Sequence, residues 1–434
     1  MTITYNDKIF TDSSVEIQSD DIFVASKQNS KFVDDAKKNG CKNFISSVEL
    51  KNHFDFSSIK IVGITGTNGK TTTAAAIYSF LLDLGYKVAL QGTRGFFIND
   101  KKLEDYTLTT PVQLSNFHNI QKAIENKCDF FIMEVSSHAI SQNRIEGLEF
   151  ALKVHTNITQ DHLDYHNTLE EYIAVKNSFF NDDTLKLINK DDENIKFKMK
   201  NAYAYGAEKS ATYKVSAYSL KNGLHVAVQH FSNIVNYSSP MMGFFNVYNL
   251  TCAIASVHLL TKKPLQEICD VVEYFGGVAG RMEIVNQNPL VVVDFAHTPD
   301  GMKEVFISFA TNDIITVFGA GGNRDRTKRP MMGKMATFYS KEVIITADNP
   351  RDEDPDLICN DIIKGCKDAS NYEVELNRKI AIEMAMKKAK KYENPVILIL
   401  GKGDEEYQII YDKKFPLNDK KIVEELNNKK LTNN

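Results

Sequence analysis

Residues 59–82 read IKIVGITGTNGKTTTAAAIYSFLL. An apolar run, a glycine turn and an alanine-rich run, in that order, predict a strand, a tight loop and a helix. The phosphate-loop pattern is a glycine, four residues, then Gly-Lys-Thr/Ser. Counting back from Gly69-Lys70-Thr71 puts Ile64 at the first position, with the nearby glycines at Gly63 and Gly66 instead. The spacing is non-standard, but the chemistry is that of a phosphate site. Gly-Lys-Thr at a helix start offers backbone N–H groups and the positive end of the helix dipole to an anion. Lys70 then reaches the outer phosphates and Thr71 a magnesium ion. The alternative is an ordinary strand–turn–helix with an exposed lysine.

Working outward, 434 residues allow two or three domains. Residues 1–57 predict a small α/β unit, with a strand in DDIFVAS and a short helix closed by Gly40. Residues 58–280 continue the alternation through KVALQGT, CDFFIMEV and FALKVHTNI, which implies a mostly parallel sheet covered on both faces. The polar, β-like stretch after Leu185 is expected to form a small subsidiary sheet. Residues 281–434 hold a second alternating series, LVVVDFA, IITVFGA, EVIITAD and PVILILG, expected as a doubly wound domain with a fraying tail EELNNKKLTNN.

A net charge of −4 argues against a general nucleic-acid or membrane-surface binder. No apolar run approaches the ~18 residues of a membrane span, and MTITYNDKIF lacks the basic start and apolar core of a signal peptide. The cysteines (Cys41, Cys128, Cys252, Cys269, Cys359 and Cys366) include no Cys-x-x-Cys pair and read as reduced thiols of a cytoplasmic protein.

Polar clusters follow the C-terminal ends of the apolar strands, the edge where open parallel sheets bind ligands. Glu134 follows FFIM, and with the Thr71 hydroxyl it suits magnesium; an N-cap or a structural ion pair is the other reading. DHLDYH (161–166) is either a helix cap with solvated polar groups or, beside Glu134, a second metal position. Lys176 shares a helical face with Tyr172, Val175 and Phe179. It either snorkels outward or is held inward, and a carbamate formed with carbon dioxide would be a reason for the latter. In GAGGNRDR, Arg324 occupies the third glycine position of the dinucleotide fingerprint, so that reading is weak. Arg351 in DNPRDEDP suits bidentate recognition of a carboxylate, or else pairs on the surface with Asp352 or Asp354.

Together TGTNGKTTT, TTP, EVSSHAISQNR, TNITQDHLDYH, YIAVKNSFF, FNVYN, GRME, DFAHTPDGM, GAGGNRDRTKRPMMG, ADNPR and GKGDEEYQ resemble the Mur ligases, most closely their diaminopimelate-adding branch. The non-standard phosphate loop is itself the form found in that family. The resemblance implies a uridine-binding N-terminal domain, a central ATPase domain and a C-terminal Rossmann-like, amino-acid-binding domain. It implies an ATP-dependent ligase of peptidoglycan precursor synthesis that joins meso-diaminopimelate to a UDP-muramoyl dipeptide through an acyl phosphate. Its partners would be small molecules, with no nucleic acid or membrane, and the chain a monomer.

Carried over residue by residue, Gly66, Thr67, Asn68, Gly69, Lys70, Thr71 and Thr72 would hold ATP, with Asn249, Arg281, Asp294 and His297. Thr71, Glu134, His162 and a carbamylated Lys176 would bind Mg2+, and Lys70, Glu134, His162 and Lys176 form the implied catalytic set. Ser13, Thr109, Thr110, Ser136, Gln142 and Arg144 would hold the UDP-muramoyl dipeptide. Arg324, Asp348, Asn349, Pro350, Arg351, Gly401 and Glu405 would meet diaminopimelate. This chain departs from the family at Asp404, where Gly-Lys-Gly-His-Glu carries histidine, and at Asp12-Ser13-Ser14, where the family has Asp-Ser-Arg. A folylpolyglutamate synthetase-like ligase, or a phosphate-loop switch without ligase activity, are the competing functions.

Overall fold

The computed structural model describes residues 1–105, 108–367 and 369–432. Its strands fall into three main sheets and a hairpin. The first sheet orders Thr2–Tyr5, Lys8–Thr11, Ile22–Ala25 and Asn43–Ser46 side by side, the last three parallel. The helix Val33–Lys38 packs on it through Ala36, against Phe23 and Cys41.

The second sheet has eleven strands, with Lys60–Thr65 in its middle between Phe150–His155 and Phe130–Glu134. Successive residues of one strand feed opposite cores, as the two-residue period of a strand requires. Phe130 and Ile132 bury with Val62 and Ile64 beneath the helices Lys70–Asp83 and Phe244–Thr261. Phe131 and Met133 bury on the other face, against Phe117 and Ile120 of the helix Gln113–Glu125. Each such aromatic or aliphatic side chain contributes roughly 1.5–3 kcal/mol when fully buried.

One expectation is corrected. The β-rich stretch after Leu185 is no separate sheet: Lys186–Asn189 pairs in parallel with both Phe150–His155 and Ala202–Gly206. Three further strands, Tyr213–Ser219, Leu224–His230 and Asn233–Ser239, then extend the same sheet to its edge. The helix Phe244–Thr261 has the length and mean hydropathy (1.2) of a membrane span, but most of it is buried against this sheet.

The third sheet orders Glu283–Gln287, Leu290–Asp294, Pro395–Leu400, Asp313–Phe318, Glu342–Ile345 and Tyr372–Val374, parallel except at its first strand. Again alternate residues divide between two cores: Leu398 and Val292 on one face, Ile397, Ile399 and Val291 on the other. The tail is also corrected. Asp419–Thr432 is helical, because Ile422, Val423 and Leu426 bury in the second of those cores and Arg378 grips Asp419 with Nε and Nη2, both at 2.8 Å. The last two residues of the expected fraying segment lie outside the described residues.

Candidate active site

The strand Lys60–Thr65 ends in the loop 66–69, and the helix Lys70–Asp83 starts directly after it. Gly69 has φ +83°, and a Cβ there would stand 2.4 Å from the Asn249 side-chain oxygen, so only glycine fits. The loop is braced from the end of the neighbouring strand. Thr67 N donates to the Asn157 carbonyl (2.7 Å), Asn68 N to the Asn157 side chain (2.9 Å), and Thr156 Oγ1 to the Asn68 carbonyl (2.6 Å). Lys70 Nζ donates to the carbonyls of Gly66 (2.7 Å) and Thr67 (3.0 Å). Burial pushes its pKa down, which leaves it poised to trade those carbonyls for a more strongly charged acceptor.

Glu134 closes its strand fully buried beside this loop. Its Oε2 accepts from Thr71 Oγ1 (2.9 Å) and Thr93 Oγ1 (3.2 Å), and its Oε1 from Thr93 N (2.9 Å). A carboxylate and a hydroxyl thus meet at the loop, the hard oxygen donors that magnesium prefers, so these two residues fit the ion. His162 has no direct contact with either. Its nearest carboxylate is Asp161, at 3.4 Å, and burial lowers the pKa of its ring to about 3, keeping it neutral as a ligand must be.

Lys176 is held inward. It is 1% exposed, donates to the Gly66 carbonyl at 2.8 Å and lies over the Tyr172 ring, so the snorkelling alternative is excluded.

A second polar line runs from Glu134 toward the first sheet. Thr110 Oγ1 donates to the Glu134 carbonyl (2.8 Å) and accepts from Ser136 N (3.0 Å), while Thr109 accepts from Thr93 (3.2 Å). Arg144 donates to the Thr110 carbonyl (2.8 Å) and clamps the Gln142 oxygen with Nε and Nη2. Gln142 and Arg144 then line a cleft of about 240 Å³ with Asp12, Ser26, Gln28 and Asn29 of the N-terminal sheet. Ser13 does not line that cleft; its hydroxyl accepts from Val15 N at 3.4 Å.

The third sheet meets the loop from the opposite side. Asp294 takes N–H bonds from Met282 and Ala296, both at 2.7 Å, and Arg281 stacks on Phe295 at 4.0 Å. His297 Nε2 stands 3.6 Å from Asp161. Sequence reasoning missed the residue that completes this contact: Lys328 pairs with Asp161 at 3.2 Å, both almost wholly buried. Burial alone would raise the Asp161 pKa, but His297, Lys328 and His162 together hold it well below the usual carboxylate range.

The acceptor-side residues gather on three loops after the strands of this sheet. Asn349 Nδ2 donates to Glu405 (2.9 Å), and the fully buried Lys402 bridges Asn349 (3.1 Å) and Glu405 (2.7 Å). Asp348 accepts from Asn349 N, and Gly401 (φ +109°) passes so close that a Cβ would lie 2.7 Å from the Asp348 carboxylate. Gly322 lets the Pro350 carbonyl approach in the same way. Arg351 Nη1 donates to the carbonyls of Gly322 (2.9 Å) and Asn349 (3.3 Å). The surface-pair alternative fails: Asp352 accepts from Asn323, and Asp354 caps the helix Pro355–Ile363. Arg324 lies near enough to depress Arg351 electrostatically, after burial. Two guanidiniums with no side-chain carboxylate partner among the described residues make a site for an anionic ligand group. Arg329, also missed, fixes these loops by gripping Glu353 with two bonds of 2.9 Å and reaching the Gly321 carbonyl.

The phosphate loop faces the anion site of the second doubly wound domain, a layout that suits an enzyme bringing a nucleotide and an anionic substrate together; its class is that of the ATP-dependent Mur ligases. The chain belongs to the Mur ligase family: residues 64–257 match the Mur ligase middle domain, and residues 280–403 the Mur ligase glutamate ligase domain. It is 51% identical to the UDP-N-acetylmuramoyl-L-alanyl-D-glutamate--2,6-diaminopimelate ligase of Wolinella succinogenes, covering 96% of this chain and 95% of that one. The enzyme of the same name from Helicobacter pylori is 51% identical over 87% of this chain and 86% of its own. A solved structure of a ligase with that name superimposes with TM-score 0.67 at 28% identity, covering 97% of this chain and 95% of that one. Mycobacterium tuberculosis folylpolyglutamate synthase superimposes at TM-score 0.63 with 18% identity, covering 80% of this chain and 89% of that one, a likeness of fold alone.

Proposed function

We propose that this chain joins meso-diaminopimelate to the D-glutamate of UDP-N-acetylmuramoyl-L-alanyl-D-glutamate, with ATP converted to ADP and phosphate. Half-identity to named ligases along almost the whole chain carries this reading. The pair Arg324 and Arg351 supports it, since diaminopimelate brings a distal carboxylate that lysine lacks.

In this reading residues 1–57 hold the uridine end, residues 58–280 activate the carboxylate and residues 281–434 deliver the amine. Thr109, Thr110, Ser136, Gln142 and Arg144 lead the muramoyl dipeptide from the N-terminal cleft to Glu134. Lys70 and the N–H groups of the loop take the phosphates, with Asn249, Arg281, Asp294 and His297 completing the nucleotide site. Thr71, Glu134, His162 and Lys176 as a carbamate would hold magnesium. Bound there, the ion would offset charge between two anionic reactants.

A carboxylate is a poor electrophile at neutral pH. Transfer of the γ-phosphoryl group to the glutamate side chain turns an oxygen into a leaving group. The neutral amine of diaminopimelate then attacks the carbonyl, the C–N bond forms, and phosphate departs as the ammonium proton is lost. Lys70 would stabilise the transferred phosphoryl charge. Asp348, Asn349, Arg351, Gly401 and Glu405 would orient the amine to an attack distance of ~3–3.5 Å.

The partners in this reading are small molecules and the enzyme a cytoplasmic monomer; the net charge of −4 speaks only against general nucleic-acid or membrane-surface binding. ADP release measured with UDP-muramoyl dipeptide and each amino acid in turn tests the proposal. Turnover that depends on lysine or glutamate, and not on diaminopimelate, would overturn it.

A further inference from the structure

Arg94 sits in the turn between the strands Val88–Gly92 and Gly95–Ile98 of the central sheet. Its neighbour Thr93 holds Glu134 through both backbone and side chain. Asp404 sits on the other side of the interface, in the loop after Pro395–Leu400, between Lys402 and Glu405 of the acceptor site. Arg94 Nε meets Asp404 Oδ2 at 3.1 Å.

The Asp404 loop reaches that position because Gly280 (φ +69°) has no side chain. A Cβ on Gly280 would lie 2.1 Å from the Asp404 backbone nitrogen. Arg281 follows, and the charges of Asp294, Asp404, Glu134 and Arg94 all act on it. One ion pair therefore ties the loop that holds the activating carboxylate to the loop that holds the incoming amine.

Three other polar contacts join the same pair of domains, His297 with Asp161 at 3.6 Å and two more. Lys328 with Asp161 is about 6% exposed on both partners, and Gln160 donates to Thr327 at 3.1 Å. Arg94 and Asp404 are different: 39% and 35% exposed. A buried pair resists salt, whereas a pair open to water is screened and can break and reform.

We propose that Arg94 and Asp404 form a reversible latch that positions the acceptor loop on the nucleotide site. Asp404 is a positioning residue that acts through Arg94, rather than a contact for the amino acid. The latch rests on the proposed ligase reading for its kinetic consequence, but not for its geometry.

The test compares wild type, Arg94→Ala, Asp404→Ala and the reversed pair Arg94→Asp with Asp404→Arg. An exposed pair of this kind is worth up to about a fivefold change in an equilibrium. Each single variant is therefore expected to lower kcat by about two- to fivefold, leave KM for diaminopimelate nearly unchanged and lose the salt dependence of the wild type. The reversed pair should recover most of kcat and the salt dependence with it. A reversed pair no better than the singles, or an Asp404→Ala variant changed only in KM for diaminopimelate, overturns the latch.

Spin labels at Met199→Cys and Phe338→Cys, both well exposed, read the interdomain distance without turnover, since the six native cysteines are buried. Distances that lengthen in Asp404→Ala and shorten again in the reversed pair support the latch, even if diaminopimelate proves not to be the substrate. Normal diaminopimelate turnover with a distance indifferent to both charges overturns it and leaves the ligase reading standing.

Discussion

Lys70 and Lys176 donate to one and the same acceptor, the carbonyl oxygen of Gly66, at 2.7 and 2.8 Å. Lys176 is buried and Lys70 half-buried. Desolvation is the main reason both pKa values fall, and the charge of Lys70 lowers that of Lys176 further. Two ammonium groups on one carbonyl repel each other, and the burial of Lys176 favours its neutral form. Lys70 belongs to the phosphates. Lys176 is left as the free amine, the form that attacks carbon dioxide to give a carbamate and release a proton. The carbamate would be an anion beside Lys70, which shares the Gly66 carbonyl with it; that would relieve the repulsion and offer a hard oxygen ligand.

Lys176→Ala is accordingly expected to lower turnover on the order of a hundredfold, with partial rescue by acetate. Labelling with carbon-13 bicarbonate should give a carbamate carbon signal in wild type that is absent from the variant. An unlabelled, fully active wild type would remove Lys176 from the metal site.

Lys70 and Gly69 are separable by experiment. Lys70→Ala removes the charge at the transferred phosphoryl group and is expected to cost about a thousandfold or more in kcat, with thermal unfolding unchanged. Gly69→Ala keeps the lysine but forces a Cβ toward Asn249 from a backbone at φ +83°. Its effect should fall on KM for ATP, because the loop shape binds phosphate before any transfer occurs. Near-normal ligation by folded Lys70→Ala would refute the phosphate-loop role.

The strand–loop–helix at residues 59–83 was legible because its information is local: the apolar period, the glycines and the helix start lie within one window. The inward turn of Lys176 was legible for the same reason, since Tyr172 and Phe179 mark the buried face of a single helix. Strand partnership was not. The alternation in YKVSAYS says which side chains bury, not that Tyr205 pairs with Tyr213 and so joins that strand to the main sheet. Lys328, Arg329 and Arg94 look like solvated charges in sequence. Their roles come from partners at distant positions, Asp161, Glu353 and Asp404, which only the folded chain brings within reach.

The histidines beside the site predict an acid limit. His138 packs against the rings of His162, Tyr165 and His166, and burial, with the positive partners nearby, lowers its pKa from 6.5 to about 4. Between those values the unfolded chain binds a proton that the folded chain refuses. Stability therefore rises with pH across that window and is lost as pH falls from 6.5 toward 4. Urea midpoints should drop between about pH 7 and about pH 5, and His138→Gln should flatten that slope. An unchanged slope in the variant would show that His138 is not a source of the acid sensitivity.

Arg351 is the residue on which acceptor choice is expected to turn. Its backbone takes φ +52°, pinned by Arg351 N to the Ile409 carbonyl (3.1 Å) and Tyr411 N to the Arg351 carbonyl (2.8 Å). That anchoring aims a half-buried guanidinium whose Nη1 is spent on two carbonyls, leaving Nη2 and Nε without a carboxylate partner among the described residues. The distal carboxylate of diaminopimelate would complete the fork, and lysine offers nothing there. Truncating one partner of such a charge pair costs on the order of 2–5 kcal/mol, so Arg351→Ala should lose at least about thirtyfold in kcat/KM for diaminopimelate. The rate with lysine should barely move, because lysine never used the contact. Arg351→Lys should also be impaired, since an ammonium cannot make two parallel bonds from a fixed plane. The measurement is the ratio of kcat/KM for the two amino acids in the three proteins, and a ratio unchanged in Arg351→Ala would move the choice of acceptor to Arg324 or elsewhere.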